Sequence, residues 1–216
     1  PPYTGPPVAA WDPVTGSFAI PEAMVIAPNG DLWVDDSYNA QIWKYSAPVN
    51  GTPSPTVTLT QTQFPFSIAL DPSGNLFAGA WHYGVDMYPA PIANSTFTSI
   101  TKSPWMMRAL VSDNAGNLYA MAYNTGSSPP QTALFVLPAG STTWSAPIQI
   151  AAADPTVVGS GASGAGVLSF LGLGAGGIYV TNRAGNSIDE FDFGLTAKIY
   201  SITTGINHPY AFTVEP

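Results

Sequence analysis

Apolar and polar positions alternate along this chain in short runs, and the same run keeps returning. Each copy is an apolar strand, a turn closed by glycine and a polar residue, then a second strand mixing aliphatic and aromatic side chains. The first copy reads Met24-Val25-Ile26-Ala27-Pro28-Asn29-Gly30-Asp31-Leu32-Trp33-Val34, and the second runs from Ser67 through Gly74 to Ala78. A third spans Ala109 to Ala120, and a shorter fourth spans Leu171 to Val180. Alternation with a period of two, broken by Gly, Pro, Asn and Asp, predicts antiparallel strands joined by tight turns. The turn glycines Gly30, Gly74, Gly116 and Gly176 lie 44, 42 and 60 residues apart. That period belongs to repeats built from small sheets.

Each repeat holds two more strand-like runs, so four strands per unit are expected. The first unit places them at 24–27, 32–35, 41–45 and 56–60, and the second at 67–70, 76–80, 85–88 and 96–101. In the third they fall at 109–112, 118–122, 133–137 and 147–150, and in the fourth at 168–173, 178–181, 187–191 and 198–202. Four-stranded units in series are the blades of an all-β propeller, read here as a single domain over 1–216. The blades cover 21–64, 65–103, 104–150 and 167–205, with an insertion at 151–166. Pro209 to Pro216 matches Pro65 to Pro72 as a first strand, so 8–20 and 206–216 are expected to close a fifth, composite blade. The alternative is a fragment of a six-bladed ring.

Composition supports this reading and narrows the partners. Of 216 residues, 45% are hydrophobic and 8% are charged, while 21 Gly and 22 Pro favour turns over long helices. No run has the ~18 apolar residues of a membrane helix, so no membrane insertion is expected. The net charge is −8, and Lys44, Lys102, Arg108, Arg183 and Lys198 are scattered. Nucleic-acid binding, which needs clustered cations to replace counterions, is therefore not expected. An acidic, cysteine-free, Ser/Thr/Asn-rich chain suggests an exported bacterial protein, secreted or held at the cell surface.

The pattern Pro-x-x-Ile-Ala-Leu-Asp-Pro-x-Gly-Asn-Leu-Phe, complete from Pro65 to Phe77, resembles the NHL-type and gluconolactonase-like propeller repeats of secreted bacterial proteins. The resemblance extends over nearly the whole chain. It implies the propeller fold, and it leaves function open among lyases, lactonases, sugar binders and protein-docking platforms. A gluconolactonase-like centre would need Glu22 and Asp36 with Asn182 or Asn207 on a metal. A virginiamycin-lyase type centre would need His208 or His82.

In such a blade, the loop after the second strand and the loop entering the next blade emerge on one rim. Loops carried there by a rigid scaffold are the usual seat of function. The candidate ligand-binding residues are Tyr38, Trp81, His82, Tyr83, Trp105, Tyr123, Arg183, His208 and Tyr210, with Glu22 and Asp36 as candidate metal ligands. The aromatics offer ring faces for a sugar or for packing, and the paired acids Asp35 and Asp36 offer hard oxygens for calcium or another divalent ion. No cofactor is otherwise expected. The leading expectation is a non-enzymatic module that binds a carbohydrate, a cell-wall component or a protein. The alternatives are a metal-dependent lyase or lactonase and a structural subunit of an extracellular assembly. Asp31, Asn75 and Asn117 are expected to bond turn amides, and Leu32, Leu76, Leu118 and Ile178 to pack between blades.

Overall fold

A computed structural model describes residues 20–49, 54–61, 63–81, 83–124, 126–127, 131–152, 171–182 and 185–206. The composite closing blade, apart from its edge residues Ile20 and Ile206, and all but the first two residues of the 151–166 insertion lie outside them. All regular elements among the described residues are strands. Blade one comprises β1 (Met24–Ile26), β2 (Leu32–Asp36), β3 (Gln41–Tyr45) and β4 (Val57–Thr60). Blade two comprises β5 (Pro65–Leu70), β6 (Leu76–Ala80), β7 (Gly84–Tyr88) and β8 (Thr98–Thr101). Blade three has β9 (Met106–Ser112), β10 (Leu118–Asn124), β11 (Gln131–Leu137) and β12 (Ile148–Ala152). Blade four has β13 (Leu171–Leu173), β14 (Ile178–Asn182), β15 (Ser187–Phe191) and β16 (Lys198–Ile202). Within each blade successive strands pair antiparallel, and one parallel contact, Gly84 with Met106, ties blade two to blade three.

Period-two alternation decides which blade each side chain meets. On β6, Leu76 and Ala78 face blade one and join Trp33, Ile42 and Leu59, whereas Phe77 faces blade three. On β10, Leu118, Ala120 and Ala122 face blade two, while Tyr119 and Met121 meet Ile178 and Val180 of blade four. The repeated leucine therefore packs on the preceding blade and the aromatic beside it on the following one. Leu32 differs: it is half-buried on the other face of blade one with Val34, Trp43 and Tyr45. Tyr179 is half-buried as well.

In blades one to three the turn motif braces the sheet differently from the sequence expectation. Asp71 and Asp113 bind their own turns: each accepts from the main-chain N–H and the side-chain amide of Asn75 and Asn117, at 2.7–2.9 Å. Asp31, Asn75 and Asn117 instead reach across the sheet. Their Oδ1 atoms accept from the N–H groups of Ala47, Ala90 and Ala139 at 3.0, 3.0 and 3.1 Å. The polar residue after the glycine thus fastens the far hairpin to the near one. In blade one the acid also pairs with Lys44 at 2.7 Å, and that bond holds its carboxyl down to about 2.

Candidate functional site at the entrance of the inner strands

Glu22, Phe66 and Arg108 each stand eight residues before a turn glycine, and Ser37, Trp81 and Tyr123 each stand seven after it. They occupy two equivalent positions of three successive repeats. The strand register explains why they converge. In blade two the pairing slips between Pro65 and Ser67, leaving Phe66 as a bulge; in blade three it slips between Met107 and Ala109, leaving Arg108 as the same bulge. A bulge takes one residue out of the alternation and re-aims its side chain. Each blade then sets its two positions against one another.

In blade two the rings of Phe66 and Trp81 lie 5.7 Å apart at 51°. Arg108 extends over the same stack, its guanidinium carbon 3.7 Å from the Phe66 ring centre and 5.6 Å from that of Trp81. At 3.7 Å the planar cation is in face contact with the ring, an arrangement favoured by the ring quadrupole. Burial pulls the Arg108 guanidinium down from its ordinary value, and the charge of Glu22, then Tyr123, opposes this. The group remains a cation. Its Nε–H and the hydroxyl of Tyr123 are both buried, with no hydrogen-bond partner among the described residues.

Glu22 is half-buried, and burial raises its carboxyl above the usual range despite the attraction of Arg108 and a hydrogen bond from Ser37. Its backbone is held by Asp35, whose Oδ1 accepts from the N–H groups of Glu22 and Ala23 at 3.0 and 2.6 Å. At the position of Asp35, blade two has Gly79 and blade three Met121, so the fold itself does not call for an acid there. Asp35 is a positioning residue for Glu22. It is fully buried, Oδ2 has no partner, and desolvation pushes its carboxyl up to about 7.

A carboxyl that binds its proton more tightly folded than unfolded stabilises the protein below the unfolded value and loses that contribution as pH rises through the folded one. For Asp35 the window runs from about 4 to about 7. Urea denaturation at pH 5 and pH 8 should therefore show wild type less stable at pH 8, on the order of 2 kcal/mol of the difference coming from this group. Asp35→Asn keeps the carbonyl that accepts both amides and should remove that share. An unchanged pH profile in the variant would refute the assignment.

The other candidates are distributed as follows. Trp81 and Tyr83 are 42% and 43% exposed, and Tyr38 is 66% exposed on the loop after β2. Tyr123 has its ring enclosed and only its hydroxyl at the site. Trp105 departs from the expected rim position. It is 7% exposed and packs edge-on to Phe135 at 5.1 Å, because the contact of Gly84 with Met106 draws this segment between blades. Asp36 also serves the backbone: Oδ1 accepts from the N–H groups of Ile20, Tyr38 and Asn39, and Oδ2 from the Asn39 amide at 2.8 Å. It braces the loop that carries Tyr38. Among the described residues, no three acidic or histidine side chains gather as a metal-holding group. His82, Arg183, His208 and Tyr210 lie outside the described residues, as does Asn207.

The sequence places Phe66 and Ser37 in the rim loops beside Glu22 without marking them as ligand-binding, and Arg108 was missed. The signal was the repeat register, since aligning the turn glycines places Glu22, Phe66 and Arg108 in one column. On the opposite face, a cavity of about 400 Å³ is lined by Asp113, Asn114, Ala115, Leu173, Gly174 and Phe193. Its one carboxylate is consumed by its own turn and by the Tyr119 hydroxyl. At the entrance of the inner strands, by contrast, Arg108 Nε–H and the Tyr123 hydroxyl have no partner among the described residues.

No family model matches the chain, and no curated protein does. Among solved structures it is similar to virginiamycin B lyase from Staphylococcus aureus, at 12% identity and a TM-score of 0.60 over 89% of this chain and 58% of that one. It is similar to a luciferin-regenerating enzyme at 10% identity, with a TM-score of 0.60 over 87% of this chain and 61% of that one. For apo AztD from Citrobacter koseri the identity is 11% and the TM-score 0.57, over 89% and 49% of the two chains. The chain spans about half to three-fifths of the length of these proteins. Likeness at such low identity carries architecture alone, and together with the four serial blades it establishes this chain as an all-β structure of the β-propeller kind.

Proposed function

We propose that this propeller is a secreted or surface-exposed binding module, of the NHL-type or gluconolactonase-like sort, that takes a carbohydrate at the entrance of its inner strands. One observation carries the reading: three repeats direct an acid, an aromatic pair and a cation to one place. Trp81 offers a half-open ring face on which a sugar can stack, Glu22 accepts hydroxyl hydrogen bonds, and the half-buried Arg108 guanidinium donates them. A mostly apolar wall with few polar groups is the ordinary make-up of a small-ligand site. On a glycan array, the protein should retain a defined subset of oligosaccharides. Trp81→Ala should weaken that retention about tenfold while the protein still unfolds cooperatively, its stability lower by about 1 kcal/mol for the lost stack on Phe66. Equal retention by the variant would remove the proposal.

Glu22 favours a second reading, in which the same entrance performs lyase or lactonase chemistry. A half-buried carboxyl whose proton affinity is raised by burial, beside a cation, can give and take a proton. Loss of lactone turnover in Glu22→Gln with sugar retention intact would select the enzyme; absence of turnover in wild type would discard it.

A further inference from the structure

The donors left over at the entrance carry more information than the ring faces. Arg108 Nε–H and the Tyr123 hydroxyl are both buried, both lack a partner among the described residues, and interact electrostatically with one another. A buried donor without an acceptor costs roughly 1–3 kcal/mol. An arrangement that leaves two together is complete only when something with acceptor oxygens arrives. Glu22 attracts the guanidinium, yet it leaves Nε unbonded. The guanidinium already packs over the Phe66 ring, so little side-chain freedom remains to be lost on binding. A planar group with two oxygens is the natural complement of a guanidinium edge.

We propose that the ligand is an acidic sugar, a uronate, whose ring lies against Trp81 and whose carboxylate accepts from the half-buried Arg108 guanidinium. This rests on the carbohydrate-binding reading above and adds the charge. The exposed ring of Trp81, 5.6 Å from the guanidinium carbon, favours a sugar over an acidic peptide, because it offers a flat face beside the anion site. The net charge of −8 narrows the ligand further. A long polyanion would be repelled by the rest of the surface, whereas one carboxylate on a short oligosaccharide meets the local cation. The ligand is a short chain with a single acidic residue at the contact.

The test is calorimetric titration with disaccharides ending in glucuronate or galacturonate, each beside its counterpart in which the carboxylate is reduced to the primary alcohol. A blocked aspartate-containing dipeptide forms the third arm. At least one uronate should bind about tenfold or more tightly than its reduced partner. Arg108→Lys, which keeps the charge and loses the fork, should abolish that preference while retaining the fold by circular dichroism. Trp81→Ala should weaken both sugars of the pair alike. Equal binding of the acid and the alcohol would overturn the uronate assignment and leave the carbohydrate reading standing. Dipeptide binding as tight as the uronate's would overturn the sugar class. Failure of all the sugars with a folded protein would overturn both.

Discussion

Replacing Phe135 with alanine should cost about 3–5 kcal/mol of stability, the range for removing a fully buried aromatic ring. Phe135 is inaccessible to solvent at the centre of β11 and fills the seam between blades two and three. It meets Trp105 edge-on at 5.1 Å and Trp144 at 6.4 Å, and the Lys102 ammonium lies 5.1 Å from its centre. Neither indole can close the gap easily. Trp144 donates from Nε1 to the Ile100 carbonyl at 3.3 Å, and Trp105 is fixed by the backbone bonds at Lys102 and Gly84. Urea denaturation followed by circular dichroism should show the midpoint falling sharply. A loss under about 1 kcal/mol would mean that the seam repacks, contrary to a tightly filled interblade core.

Gly84→Ala should cost about 3 kcal/mol or more, and it should disturb ligand binding as well as stability. Gly84 has φ 113°, a backbone conformation closed to residues with a side chain. A Cβ there would collide with the Ile100 carbonyl oxygen and stand 2.8 Å from Thr101 Cα, both backbone of the paired strand β8. Nothing flexible can yield. The same residue donates from its N–H to the Trp105 carbonyl at 3.2 Å and forms the parallel contact that joins the two blades. That contact sits two residues from Arg108, so forcing it apart should move the guanidinium off Phe66. Melting curves and sugar titration should both respond. A variant as stable as wild type would show that the φ is not imposed by the fold.

Much of the fold can be read in the chain because period-two patterns and turn residues act locally. Gln41–Tyr45, Leu76–Ala80, Ser187–Phe191 and Lys198–Ile202 have the expected limits. The inner strands β5 and β9 begin earlier than the alternation suggests, at Pro65 and Met106. There a bulge interrupts the period, and a pattern argument stops where the period does. The acids show the same boundary between local and distant causes. Asp71 and Asp113 brace their own turns as turn chemistry implies, whereas Asn75 and Asn117 bind amides on another hairpin that no local rule identifies.

The repeat and its turn glycines determined by themselves that the chain would form small antiparallel sheets stacked in series, since alternation and backbone freedom are properties of neighbouring residues. Only the tertiary structure decided that Trp105 would turn inward, that Asp35 would hold Glu22, and that Arg108 would lie over the Phe66 ring. Those outcomes depend on where one blade ends and the next begins in space. Burial, desolvation and stacking act across that distance, and no short stretch of sequence contains it.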